Sequence, residues 1–148
     1  MKKAQDREKH KLYSFILKHI NAMNNWDLVD IAAPYAIGSY LEDKPRAVLY
    51  TLASSKNLWH RRVAVIATFW FIRRNDYSDT LKITSILMND SHDLIHKACG
   101  WMLREIGKRD EKVLRAYLND HAHHMPRTML RYAIERLPDR TAFLERKS

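Results

Sequence analysis

Apolar residues recur along this chain with the period of a helix. In KLYSFILKHINAM, Leu12, Phe15, Ile16, Ile20 and Met23 fall at i, i+3, i+4, i+8 and i+11, one stripe of a helical surface. The pattern predicts a second helix from Trp26 towards Glu42, capped by Asn24 or Asn25, kinked at Pro34 and weakened at Gly38. Pro45 suits the first turn of a short helix through Leu52, and Asn57 caps LWHRRVAVIATFWFIRR. Ser78 is placed to cap DTLKITSILMN, and Ser91 to cap HDLIHKACGWMLREI before Gly107 stops it. EKVLRAYLNDHA follows, and Pro126 opens PRTMLRYAIERL. Pro138 then ends that helix and leaves a frayed tail.

The second member of each helix pair begins alike. NNWDLVDIAA, NLWHRRVAVIA, HDLIHKACGWM and RTMLRYAIERL start at 24, 57, 92 and 127, spacings of 33, 35 and 35. That period belongs to α-solenoids, in which helix pairs stack and matching helices share one face. The expected architecture is therefore all-α: HEAT-like antiparallel pairs in a curved superhelix, forming a single domain over 1–148. Residues 1–23 supply an N-terminal helix, 24–137 the repeats and 138–148 a tail.

Composition agrees with this reading. With 3 glycines and 4 prolines the chain lacks the turn residues that a β-rich fold needs. No run of apolar residues is long enough to span a membrane, and no signal-type apolar core follows the charged MKKAQDREKHK. The single cysteine, Cys99, excludes an internal disulfide and suits a reducing cytoplasm; its apolar setting in HKACGWML reads as a buried small hydrophobe.

Charge adds a partner. There are 26 Lys and Arg against 17 Asp and Glu, a net charge of +9, which favours polyanions through phosphate contacts. Repeat stacking places Asp30, Arg61, Arg62, Lys97, Arg127 and Arg131 on one face, with the carboxylate alone among cations. A solvated repeat surface is the plain alternative to a nucleic-acid groove. The histidines point nowhere in particular: HDLIH has two ligands at i, i+4 spacing, but Asp93 stands where a zinc protease motif requires Glu, and no third ligand follows. His121, His123 and His124 cluster at a helix end, where positive charge is favourable. No metal or cofactor is expected. Trp70 lies in a continuous apolar run and reads as core, whereas Trp26 and Trp59 begin inner helices and Trp101 follows Gly100, which admits a close neighbour.

Four segments, NNWDLVDIAAPY, NLWHRRVAVIATFWFIR, HDLIHKACGWMLREIGKRD and MPRTMLRYAIERL, together resemble the AlkD-type, HEAT-like alkylpurine DNA glycosylases over residues 24–137. The resemblance implies that Trp26 and Asp30 lie at the lesion, that Arg62 holds the DNA backbone beside it, and that Trp101 completes the cleft. It implies hydrolysis of the glycosidic bond of cationic N3- or N7-alkylated purines in duplex DNA, with the base left stacked. Family members usually carry further helices ahead of the NNW segment. A catalytically weak DNA-binding repeat protein and a protein-interaction scaffold are therefore the competing readings, and the N-terminal end is a candidate surface for self-association.

Overall fold

The computed structural model describes residues 2–22 and 26–146, with the side chains of residues 2, 21, 26–28 and 146 outside that description. The proposed Asn24 or Asn25 cap and the Trp26 indole fall outside it. Among the described residues every regular element is helical. They are α1 (Lys2–His19), α2 (Trp26–Ala33), α3 (Ala47–Ala53), α4 (Leu58–Ala67), α5 (Phe69–Ile72), α6 (Ser78–Ile86), α7 (Asp93–Arg109), α8 (Glu111–His121), α9 (Arg127–Ile134) and α10 (Arg140–Arg146). No helix among them is long and apolar enough to cross a membrane.

Four helices form a consecutive series: α2 packs on α4, α4 on α7 and α7 on α9. Beside this series α3 packs on α4, α6 on both α4 and α7, and α8 on α7, while α10 packs on α9. The core between them is aliphatic. Ile37, Leu49, Val63, Ile66, Ile72, Ile83, Ile95, Met102, Leu103 and Ile106 are fully buried, each stabilising the fold by about 1.5–3 kcal/mol. α7 and α9 approach each other closely, and Gly100 permits it. A Cβ there would lie 2.5 Å from Tyr132 Cβ and 2.6 Å from Met129 O, so the close neighbour that Gly100 admits is the α9 backbone.

Side-chain caps start three of these helices, α4, α7 and α8. Asn57 Oδ1 accepts from the amides of Trp59 (2.8 Å) and His60 (3.4 Å), which starts α4 as its sequence predicts. Elsewhere the ends differ from expectation. The second helix stops at Ala33, and Pro34–Gly38 form a single wide π-turn before the chain turns away. Proline cannot donate to the preceding turn, which explains the break. His92 rather than Ser91 caps α7, its Nδ1 accepting from the Leu94 amide at 3.2 Å. Gly107 does not end that helix: α7 runs to Arg109, and Asp110, extended at φ −151°, turns the chain and caps α8 through Val113 N. Nor is the tail frayed, since α10 follows Pro138 and buries Phe143.

One polar cluster lies inside this framework. Arg46 Nη1 donates to Asp79 (2.6 Å) and Asp76 (2.9 Å), and Tyr50 OH donates to the other Asp79 oxygen (2.6 Å). The Arg46 guanidinium also stacks on Phe71, 3.7 Å from the ring centroid. These bonds fasten α3 to the start of α6. Burial, reinforced by the hydrogen bond to Asp79, raises the Tyr50 phenol well above its ordinary pKa. Burial alone would raise Asp76, but the Arg46 hydrogen bond and the Ser78 amide outweigh it and hold that carboxyl below its usual range.

Candidate functional site

Asp30 sits one turn into α2, Arg62 in the second turn of α4 and Leu94 at the start of α7. The packing of α2 on α4 and α4 on α7 brings the three together. Arg62 grips both oxygens of the carboxylate, with Nε 3.2 Å from Oδ1 and Nη2 2.9 Å from Oδ2. Its remaining terminal nitrogen, Nη1, donates to Leu94 O at 2.9 Å. One guanidinium thus ties three successive helices, using the fork geometry that matches a carboxylate. The arginine is the deeper partner: its side chain is 10% exposed, against 20% for Asp30. The acid is presented outwards on a buried cationic support.

The expected ring of free cations around this acid is not what forms. Arg61 donates to Asp90 at 2.6 Å and to the carbonyls of Ser55 (3.1 Å) and Lys56 (2.9 Å). It pins the loop before α4 to the loop before α7. Lys97 pairs with Asp93 one turn away at 3.6 Å. A hydrogen bond from Thr128, helped by Lys97, holds Asp93 below the usual carboxylate range. Arg127 and Arg131 stand exposed on α9. Asp30 is therefore not a lone carboxylate among unpaired cations: Arg62 neutralises it directly, and Asp90 and Asp93 lie along the same helix ends.

Trp101 lies seven residues beyond Leu94 on α7, a separation of about 10 Å along the axis. Its ring meets Phe69 edge-on, with centroids 6.0 Å apart and planes at 64°, and its Nε1 donates to Glu105 Oε1 at 3.3 Å. Three residues here escaped the sequence reading. Phe69 opens α5 and Arg73 caps its end, and the Arg73 guanidinium lies 5.8 Å from the Phe69 centroid. Arg73 is exposed and makes no ion pair among the described residues. Glu105 follows Trp101 at i+4, a spacing that could have flagged it. Trp70, expected in the core, is only half-buried, and the Arg74 guanidinium covers its face at 3.5 Å.

The remaining candidates are structural. His92 caps a helix, His96 bonds Asp90 O, and His60, held below its ordinary pKa by burial, bonds Ser55 Oγ at 2.8 Å. Burial pushes the Cys99 thiol up to about 12, so it is no nucleophile at neutral pH. No group of three or more His, Cys, Asp or Glu among the described residues could hold a metal ion.

An all-helical arrangement that presents a carboxylate on a buried guanidinium, with an indole two turns further along α7, fits the class of protein its sequence resembles. The family model for DNA alkylation repair enzymes matches residues 1–137, and the chain belongs to that family. The match takes in α1, ahead of residue 24 where the resemblance in the sequence begins. Membership implies a DNA substrate. No curated protein matches the chain.

Proposed function

We propose that this chain is a DNA glycosylase that hydrolyses the N-glycosidic bond of cationic N3- or N7-alkylated purines in duplex DNA. The helix pairs are then the repeats of a HEAT-like solenoid, and α2, α4, α7 and α9 line its concave, DNA-facing side. The consecutive packing of those four helices supports this reading. The observation that carries the function is the Asp30–Arg62 pair, a carboxylate gripped through both oxygens by a more deeply buried guanidinium. A purely structural pair has no reason to turn its anion towards a phosphate-binding face, where it repels the ligand.

The chemistry follows from the charge. An alkylated purine is already cationic, so when the C1′–N9 bond breaks the base takes the electron pair and leaves neutral. Positive charge then passes to the deoxyribose as oxocarbenium character. Asp30 stabilises that charge and orients the water that adds to C1′, accepting its proton as the C1′–O bond forms. This interaction strengthens in the transition state, which is what lowers the barrier. Arg62 holds the carboxylate in place through both of its oxygens. The rings of Trp26 and Trp101 flank the sugar as electron-rich faces. The base stays stacked, unlike in enzymes that extrude it. With Arg61 and Lys97 engaged internally, phosphate contacts fall to Arg73, Arg127 and Arg131, supplemented by whatever Arg62 can share.

A duplex carrying one N7-methylguanine, incubated with excess protein, tests the proposal. Release of the methylated base and formation of an abasic site are expected, while a neutral lesion is left intact. Salt-sensitive binding without release would favour a DNA-binding role alone. Exposed Leu12, Phe15, Ile31 and Tyr35 support self-association through the N-terminal end. Sedimentation across a concentration series would show it as a rising mass, and a constant monomer mass would exclude it.

A further inference from the structure

Two of the half-buried indoles, Trp70 and Trp101, are treated in opposite ways. Trp70 has its face covered by Arg74 at 3.5 Å, and its Nε1 is buried with no hydrogen-bond partner. Trp101 has its Nε1 donated to a carboxylate, and among the described residues no cation lies over its ring. The first indole is used up inside the fold; the second has its edge satisfied and its face left for something else.

The carboxylate responsible is Glu105. Its side chain is only 14% exposed, and Oε1 receives both Trp101 Nε1 (3.3 Å) and Lys108 Nζ (3.0 Å). Phe69 meets the indole edge-on. With the N–H tethered and that edge blocked, the ring has one orientation. An anion at the N–H also makes the indole face more negative, which strengthens its attraction for a cation above it. A carboxylate this poorly exposed costs desolvation energy that a neutral side chain would avoid. Packing alone does not call for a charge here.

We infer that Glu105 is a positioning residue for the glycosylase reaction, holding Trp101 in the orientation and electronic state that favours a positively charged sugar. The inference rests on the function proposed above and assigns Glu105 no contact with substrate. It acts on the rate of bond breaking rather than on duplex affinity, because the charge it helps to stabilise develops only in the transition state.

The test is a cycle of Glu105→Ala, Glu105→Gln, Trp101→Ala and the Trp101→Ala/Glu105→Ala double variant. Single-turnover release of N7-methylguanine is measured at saturating protein, with duplex Kd and a thermal melt for each. Glu105→Ala is expected to slow release by about tenfold, the scale of a desolvated cation–π contact, and to change Kd by less than about twofold. Glu105→Gln keeps an acceptor for the indole and recovers part of the rate without the charge. In the Trp101→Ala background, Glu105→Ala has no further effect, since a residue acting only through the indole shows full coupling. Release at the wild-type rate by Glu105→Ala, a loss carried by Kd, or additive losses would each overturn the inference while leaving the glycosylase reading intact. Wild-type protein that releases no base would overturn both. If Glu105→Ala does not fold, Glu105→Gln decides: a wild-type rate with wild-type coupling refutes a role for the charge.

Discussion

Two of the arginine–carboxylate pairs that join helices in this protein differ in which member lies deeper. At the junction of α3 and α6, Asp79 is the deeper member, 12% exposed against 20% for Arg46, and Tyr50 closes its second oxygen. At the junction of α2, α4 and α7, Arg62 is the deeper member, 10% exposed against 20% for Asp30. In the first, Asp79 accepts from Arg46 and Tyr50, and the guanidinium stacks on Phe71. In the second, the guanidinium bonds both Asp30 oxygens and the Leu94 carbonyl, and the acid is the more exposed member. The same residue types thus leave different members the more exposed: the base in one pair, the acid in the other.

The largest expected effect separates the two in function. Asp30→Asn should cut single-turnover base release by about 10²–10³-fold, the range for losing one preorganised electrostatic contact, with duplex binding retained. Asp79→Asn should leave the rate per folded molecule unchanged. Stability reverses the order. Thermal melting of Asp79→Ala should show a loss of about 2–3 kcal/mol, because Arg46 and Tyr50 lose a shared buried partner and Asp76 replaces only part of it. For a chain of this size that is about 4–12 °C in Tm. Arg62→Lys sharpens the comparison from the other side. A lysine keeps the charge but cannot span both Asp30 oxygens and Leu94 O, so stability should fall by about 1–2 kcal/mol and the rate by about tenfold. Equal effects of Arg62→Lys and wild type would mean the fork geometry is idle.

Smaller effects test the periphery. Arg73→Ala should weaken duplex binding by a few-fold and reduce the salt dependence of log K by about one unit, with the rate at saturation unchanged. An unaltered salt slope would remove Arg73 from the phosphate contacts. Acid unfolding bears on the α3–α6 cluster. The folded Asp76 carboxyl lies below its ordinary value, so its stabilisation is complete above about pH 4 and is lost as pH falls through the depressed folded value. Asp76→Asn should therefore melt lower at pH 6 and lose less of its stability on acidification than wild type does.

Much of the fold was legible because local chemistry decided it. The helical period, the Asn57 cap and the short helix after Pro45 depend on near neighbours. What the sequence concealed depends on partners far along the chain. Gly107 looks like a helix stop, but it packs beside Leu114 and α7 continues past it. Pro138 looks like an end, but α9 offers Phe143 a place to bury. The spacing of the repeats set Asp30 and Arg62 on matching helices, yet no spacing could say that they bind each other or which would lie deeper. Arg61 and Arg62 are adjacent and chemically identical, and only tertiary packing sends one to Asp90 and the other to Asp30. Arg46, Tyr50 and Asp79 carried no pattern at all, being 29 and 33 residues apart.

The most direct test of the central claim measures binding instead of turnover. Two duplexes are compared, one bearing a cationic pyrrolidine in place of the lesion sugar and one a neutral tetrahydrofuran. Wild type and Asp79→Asn should bind the cationic duplex more tightly than the neutral one, and Asp30→Asn should lose most of that preference, keeping only the weaker share of the indole faces. A cationic preference undiminished in Asp30→Asn, or missing from wild type, would contradict the assignment of Asp30 as the group that stabilises the developing charge.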